Sequence, residues 1–267
     1  MLKIERHEKI MDILRLRGSV LVTELSTRFS CSDETIRRDL KELEEKNELH
    51  RTHGGAFLPN KHDKSYPSEI RRVLLQAEKK TIVSKAVQLI HDNDFLFLDS
   101  STTCLELGKC IIQANLSVTI VTNSLLLAQL CASQKNDVDL ILLGGALRTH
   151  TLSTASAESL DQLNNYYADI CFLSPPKISL EVGMTDNRMN EARVRSRMIE
   201  RANKTVLLAD HTKFQDYANL PVSALEKIDV LITDAGLANN WYAFAKEHAI
   251  QIERVNHEKS ESTISRS

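Results

Sequence analysis

CSDETIRRDLKELEEKNELHRTHGGA, residues 31–56, reads as a helix with a defined start followed by a tight hairpin. Ser32 is a good N-cap, because its hydroxyl can accept an amide proton that the first turn leaves unpaired. Asp33 and Glu34 suit the positive end of the helix dipole. Ile36, Leu40 and Leu43 recur at i, i+4 and i+7, which draws one apolar stripe along a helix over Asp33–Lys46. Arg37, Arg38 and Lys41 then project away from that stripe. Downstream, Leu49-His50-Arg51 and Ala56-Phe57-Leu58 flank Thr52-His53-Gly54-Gly55, the pattern of a small β-hairpin.

Toward the N-terminus, residues 3–17 place Ile4, Ile10, Ile13 and Leu14 among charges and predict an amphipathic helix that stops before Gly18. Val20 and Val22 give a short extended segment, and Thr23 can cap a second helix over Glu24–Phe29. Ser30-Cys31-Ser32 turns the corner into the third helix. Helix, short helix, corner, helix and hairpin is the layout of a winged helix-turn-helix, in which the third helix enters the major groove with its N-terminal half at the base edges. That half holds Ser32, Thr35, Arg37 and Arg38. Hydroxyls at a helix start can hold a phosphate, and arginine can read guanine O6 and N7 together. With Thr23 and Lys41, and with Arg51 and His53 of the hairpin set for flanking phosphates, these form the expected DNA-contacting set. Glu42, Glu44, Glu45 and Glu48 gather at the far end of the helix and would point away from a duplex. An arginine pair on a small helical domain is as compatible with a solvated face, so TIRRDL alone leaves both readings open.

Residues 1–60 hold 11 Lys+Arg and 11 Asp+Glu, and the 267-residue chain has a net charge of −2, which argues against a polycation coating DNA nonspecifically. A case for DNA therefore rests on where the charges sit. With 42% apolar and 26% charged residues, disorder over the whole length is excluded. No apolar run approaches the roughly 18 residues of a membrane helix, and MLKIERHEKI has no signal-peptide core. The expectation is a cytoplasmic protein with no membrane partner. The five cysteines (Cys31, Cys104, Cys110, Cys131, Cys171) form no CxxC pair, so neither a disulfide framework nor a metal site is expected, and no cofactor.

Beyond residue 77 the pattern changes to short apolar runs alternating with helical stretches. The runs are Phe95–Leu98, Val118–Val121, Leu140–Leu143, Ile170–Leu173, Val206–Ala209, Val230–Ile232 and Ile250–Val255, with helices expected over 78–91, 103–113, 124–133, 190–202 and 236–248. Continuous apolar strands between helices mean a mostly parallel sheet covered on both faces, an α/β domain. The strands end in small and polar residues, at Asp99-Ser100-Ser101-Thr102-Thr103, Thr122-Asn123-Ser124, Gly144-Gly145, Asp210 and Thr233-Asp234. Open parallel sheets bind ligands at that edge. Ser100, Ser101, Thr102 and Thr103, at the start of a helix, can cradle an anion. Lys213 can add a point charge, and Asp99, Asn123 and Asp210 can bond hydroxyls of a ligand. The plainer alternative is that such residues only cap helices and close turns. The expected organisation is a winged helix-turn-helix domain over 1–57, a linker over 58–77, a ligand-binding α/β domain over 78–257 and a polar tail over 258–267.

The ordered series Ser32, TIRRDL (35–40), Leu43 and Arg51-Thr52-His53-Gly54-Gly55-Ala56 resembles the signature of the DeoR family of bacterial transcription regulators. The resemblance extends over about residues 3–255. Arg71 with Glu78-Lys79, Leu98–Thr103, Val121-Thr122-Asn123-Ser124, Leu143-Gly144-Gly145, Glu191, Asp210–Phe214 and Thr233-Asp234 are similar to successive elements of that family. It implies a sensor domain similar to the ribose-phosphate isomerase and CoA-transferase fold. It further implies a repressor of a carbohydrate-utilisation operon, operator DNA and a phosphorylated sugar as partners, and a homodimer or homotetramer. Thr122, Gly144, Gly145 and Glu191 join the effector-binding candidates on this ground. Of the Arg193, Arg195, Arg197 and Arg201 series, otherwise a solvated or subunit-facing row, Arg195 stands where the family often has lysine. Three departures lie at the ligand edge: Ser101 in place of glycine, Ser153–Ala157 without glycine, and Ser174-Pro175-Pro176-Lys177 in place of a glycine-rich loop. The same architecture serves activators, and the related fold leaves an isomerase-like enzyme as the other alternative, with Asp99 or Asp210 as base.

Overall fold

A computed structural model describes residues 1–52, 54–58, 68–214 and 216–256. The chain begins α1 (Lys3–Arg17), β1 (Ser19–Leu21), α2 (Val22–Phe29), α3 (Asp33–Glu45), β2 (His50–Thr52) and β3 (Gly55–Phe57). β3 lies between β1 and β2, antiparallel to both, so the hairpin and the segment after α1 make one three-stranded wing. Ile10, Ile13, Leu14, Val20, Leu25, Ile36, Leu40 and Leu43 are buried in one cluster beneath it. Ile4, expected inside, is exposed. Residue Val22 opens α2 instead of extending β1, and Leu21, not Thr23, is its N-cap. Gly55 abuts the wing so closely that an added Cβ would lie 2.0 Å from the Val20 carbonyl oxygen.

His53, residues 59–67 and the tail from 257 lie outside the described residues. The stretch expected to be a linker carries α4 (Ser68–Val73), which packs on β1 and β3 of the wing and on a helix of the second domain. That domain then runs α5 (Gln76–Ala86), β4 (Phe95–Leu98), α6 (Thr102–Gln113), β5 (Val118–Thr122), α7 (Leu125–Ser133), β6 (Val138–Leu142), β7 (Leu147–Arg148), β8 (Ser153–Thr154) and α8 (Ala157–Leu163). It continues with β9 (Ala168–Leu173), β10 (Lys177–Ser179), β11 (Gly183–Asp186), α9 (Met189–Glu200), β12 (Ala202–Ala209), β13 (Leu220–Ser223), β14 (Val230–Thr233), α10 (Asn239–Glu247) and β15 (Gln251–Arg254).

All seven expected runs become strands of one parallel sheet, ordered β15-β14-β12-β9-β4-β5-β6. Its inner strands carry apolar runs because both faces of the sheet are covered there. Leu96, Leu98, Ile120, Ile170, Phe172, Val206 and Leu208 pack toward α5, α6 and α7. The intervening Phe97, Val121, Cys171, Leu173 and Leu207 pack toward α8, α9 and α10. The chain winds from β4 outward through β5 and β6, then returns to lay β9 on the other side of β4. That reversal is a topological switch point, where an open α/β sheet leaves a crevice beyond its carboxyl edge. A second antiparallel sheet, β10-β11-β13, stands beside it.

Candidate functional site

Two sites follow from this frame. The first is α3. Ser32 caps it, its Oγ accepting the Thr35 amide at 3.2 Å and pairing with Thr35 Oγ1 at 2.9 Å. Ile36, Leu40 and Leu43 are buried, while Arg37, Arg38 and Lys41 are exposed. Asp39 shares the buried face. Arg6 of α1 grips it through two nitrogens, one of them at 3.0 Å, and His7 Nε2 lies 3.2 Å away. Burial pushes the Asp39 carboxyl up, but the Arg6 bond and charge pull harder and hold it below the usual carboxylate range. This pairing fixes α3 against α1. Thr23 is exposed in the first turn of α2. Arg51 lies at the other end of α3, where Glu44 accepts its amide at 2.8 Å and its Nε at 2.7 Å. Glu44 thus holds the hairpin against the end of α3. Lys41 sits 4.0 Å from Glu45.

The second candidate site is the polar cluster at the topological switch point, the carboxyl ends of β4 and β9. Asp99, at the end of β4, is buried and accepts the Ser101 amide (3.0 Å), the Ser174 amide beyond β9 (3.1 Å) and Arg195 Nε of α9 (2.7 Å). Arg195 also bonds Asp186 at the end of β11, so one guanidinium joins both sheets to α9. Burial pushes Asp99 up, but the Arg195 charge and these donors outweigh it and bring the carboxyl down to about 2. Ser101 caps α6 with φ −71°, its Oγ accepting the Cys104 amide at 3.1 Å. No glycine conformation is needed here, so the departure at Ser101 carries no backbone strain.

Glu191, buried at the start of α9, collects Ser100 Oγ (3.1 Å), Asn123 Nδ2 (3.3 Å), Arg148 Nη1 (2.9 Å) and Ser153 Oγ (2.6 Å). Burial raises its pKa, but Arg195, Ser153 and Arg148 bring it below the usual range. The buried Asn123 gives its other amide proton to the Thr154 carbonyl (3.0 Å), while its Oδ1 finds no donor among the described residues. A buried acceptor left bare is costly, and an O–H or N–H donor from a bound water or ligand would satisfy it. Lys213 Nζ donates to the Ser174 carbonyl (3.2 Å), Ser174 Oγ (2.8 Å) and the Pro175 carbonyl (2.8 Å). Burial lowers its pKa, against the pull of Asp210. Asp210 is buried and accepts the Thr212 amide at 3.1 Å.

The crevice therefore brings together Asp99, Ser100, Ser101, Asn123 and Glu191, and charge couples Lys213 to Asp99 and Asp210. Thr102 and Thr103 are buried in the first turn of α6, with Thr103 Oγ1 accepting from Ser174 Oγ at 3.3 Å. Thr122 turns its hydroxyl to the Leu98 carbonyl (2.7 Å), and Gly144 bonds Gln162 (2.9 Å) and Ser159 (2.6 Å) of α8. Gly145 sits beside Ser156 in that turn with φ +120°. These three close turns. Sequence reasoning missed Arg148, Ser153 and Asp186 as members of the cluster. Of the Arg193, Arg195, Arg197 and Arg201 series, only Arg195 enters it, while Arg197 pairs with Glu200 at 3.1 Å and Arg201, just past α9, stacks 3.7 Å from the Tyr167 ring centre.

Because Asp99 has a depressed pKa in the folded chain, its stabilising contribution is complete above about pH 4 and is lost as pH falls toward 2. A shift of that size corresponds to about 2–3 kcal/mol. Denaturant melts of the wild type between pH 5 and 2, compared with Asp99→Asn, should show that loss in the wild type and a smaller one in the variant.

Among the described residues no group of three His, Cys, Asp or Glu is placed to hold a metal, and no helix is long and apolar enough to cross a membrane. The DeoR-like helix-turn-helix domain matches residues 6–62, and the DeoR C terminal sensor domain matches residues 75–235. The HTH-type transcriptional regulator YulB of Bacillus subtilis is 35% identical over 89% of this chain and 91% of its own. The HTH-type transcriptional repressor GlcR of the same organism is 34% identical over 86% and 88%. The glycerol-3-phosphate regulon repressor of Escherichia coli is 30% identical over 95% and 99%. Among solved structures, ribose 5-phosphate isomerase A of Methanocaldococcus jannaschii aligns over 51% of this chain and 53% of its own, with 18% identity and a TM-score of 0.37, too loosely to bear on activity.

Proposed function

Since the chain belongs to the DeoR family of transcriptional regulators, we propose that it is a repressor of carbohydrate-utilisation genes whose α3 reads the operator and whose β4/β9 crevice takes a phosphorylated sugar that releases it. One observation carries the DNA half: Arg37 and Arg38 are exposed on α3 beside its Ser32 cap, while the opposite face is buried. Ser32 and Thr35 stand at the helix start for a phosphate, and Lys41 and Thr23 lie on flanking surface. Arg51 is held by Glu44 and would reach phosphate from that position. Replacing Arg37 or Arg38 with alanine should weaken operator binding by about 1–3 kcal/mol and relax the base preference at one position. Anisotropy on a duplex selected by the full chain at fixed salt checks this, and unchanged affinity in both variants overturns the assignment of α3.

The bare Asn123 Oδ1 amid Glu191, Ser100 and Arg148 supports a polyhydroxylated ligand, and Lys213 with the first turn of α6 supports an anionic group on it. A relative named as a glycerol-3-phosphate regulon repressor agrees with a phosphorylated polyol. Readers on two half-sites require at least a dimer, formed in the cytoplasm where the DNA is. The reading as a regulator rather than an isomerase is supported by Asp99: both of its oxygens are occupied and its pKa of about 2 makes it a poor base. Release demands that the ligand favour one arrangement of the readers by several kcal/mol, about 5 for a nearly complete switch.

A further inference from the structure

Arg37, Lys41 and Glu44 fall at i, i+4 and i+7 of α3, so they share one face of that helix. Arg37 and Lys41 are exposed cations, and Glu44 ends their row with the sign that repels a duplex. Glu44 is engaged by Arg51 of the wing: its Oε1 accepts the Arg51 amide at 2.8 Å and its Oε2 accepts Arg51 Nε at 2.7 Å. Both carboxylate oxygens therefore serve one residue. β2 is an edge strand of the wing, and Glu44 supplies the partner that its outward amide needs. The link between helix and strand is tight. Asn47 is left-handed at φ +60°, and the Glu48 amide bonds the Leu43 carbonyl at 3.1 Å. The bonds from the Arg51 amide and side chain also hold the Glu44 carboxyl below its usual range, so it stays ionised. The two terminal nitrogens of Arg51 form no hydrogen bond among the described residues. With side chains 34% and 36% exposed, such a pair adds little to stability; what it supplies is orientation.

We propose that Glu44 is a positioning residue for sequence-specific DNA binding: it locks the wing to α3 and sets the Arg51 guanidinium so that the cationic face of the helix continues through Arg51 onto one backbone phosphate. The inference rests on the DNA-reading role proposed above for α3 and deepens it. An arginine loose on a hairpin meets whichever phosphate is near and adds affinity for every sequence alike. Held at Nε, the planar fork offers its terminal N–H groups in one orientation and loses less freedom when it bonds. The Glu44 charge repels phosphates on any duplex. That repulsion is offset only where a phosphate sits on the Arg51 fork, which requires α3 to lie in its operator register. The pair therefore penalises binding out of register more than binding in register, and specificity is the difference between the two.

The test uses the full chain, a duplex that it selects from random sequence, and a scrambled duplex of the same composition, read by anisotropy at several salt concentrations. Glu44→Gln keeps an acceptor and removes the charge. It should bind the scrambled duplex about threefold more tightly and lower the ratio of selected to scrambled affinity about fivefold or more. Arg51→Ala should weaken the selected duplex about tenfold and reduce its salt slope by about one. In the Arg51→Ala background, Glu44→Gln should leave the ratio unchanged, because the charge then repels both duplexes equally. Neutral methylphosphonates placed one at a time along the selected duplex should reveal one phosphate whose loss weakens the wild type and not Arg51→Ala. In Glu44→Gln that sensitivity should spread to neighbouring phosphates. A purely structural pair would lower both affinities together and leave the ratio and the methylphosphonate profile as in the wild type. If Arg51→Ala is unfolded by circular dichroism, Arg51→Lys decides instead, and it should blur the profile as Glu44→Gln does. A wild-type ratio in folded Glu44→Gln, or a wild-type profile in the folded Arg51 variant, overturns this inference and leaves α3 as the reader. A chain that selects no sequence overturns the reading role itself, and this inference with it.

Discussion

Replacing Arg195 with alanine is expected to destabilise the sensor domain by about 3–5 kcal/mol, since removing one partner of a buried ion pair strands the other. Here it strands two, Asp99 and Asp186, and weakens the field around Glu191. For a domain of this size the melting temperature should fall by about 6–20 °C. The pH dependence separates this cause from simple loss of packing. In the wild type the Asp99 pKa is low, so its contribution is flat from pH 7 to about 4. Without Arg195, burial dominates and the Asp99 pKa rises above its unfolded value. The variant should then gain stability as pH falls from 7 toward 4, where the wild type gains none from this group. Thermal melts at pH 7 and pH 5 decide it. An equal stability deficit at both values would mean that Arg195 acts through packing alone.

Asp39→Ala is expected to cost the winged domain about 3–5 kcal/mol, because it leaves the largely buried Arg6 without its carboxylate. It should also reduce operator binding although Asp39 is buried and cannot touch DNA, since α3 loses its tie to α1. Asp39→Asn should be milder, as the amide oxygen can still accept from Arg6. Denaturant melts with a probe in the first domain, run beside anisotropy on the operator, give both readings. Wild-type stability in Asp39→Ala would show that the pair contributes nothing.

Asp39 also shows what the sequence could have told. Ile36, Asp39, Leu40 and Leu43 fall at i, i+3, i+4 and i+7, so the carboxylate lies on the buried face by spacing alone. A buried carboxylate needs a cation, and Arg6 and His7 were at hand. The parallel strands were legible because most carry a short apolar run of strand length set among helical stretches. The strands β10, β11 and β13 were not, being three or four residues long and mixed with Lys177 and Pro221. Arg148 and Ser153 sit on two-residue strands, too short to show any period. Their meeting with Glu191 depends on a turn that only the folded chain defines. Arg195 stood out from the arginine row through family resemblance and not through spacing, because its burial comes from Asp99 and Asp186, distant in sequence or on another sheet. The residues 68–73 read as linker because polar residues and Pro67 precede them, yet Ile70 and Val73 supply one apolar side for the wing.

In the proposed function, the hold of α3 on DNA is set by the distant site at the carboxyl ends of β4 and β9. The most direct measurement is anisotropy of a labelled operator duplex, selected by the full chain, titrated with and without each phosphorylated sugar at constant salt. One phosphorylated sugar should weaken the wild-type complex about tenfold or more while its unphosphorylated counterpart does not, and the Arg37→Ala/Arg38→Ala double variant should bind weakly in both conditions. Equal operator affinity with every sugar phosphate, or wild-type affinity in the double variant, would contradict it.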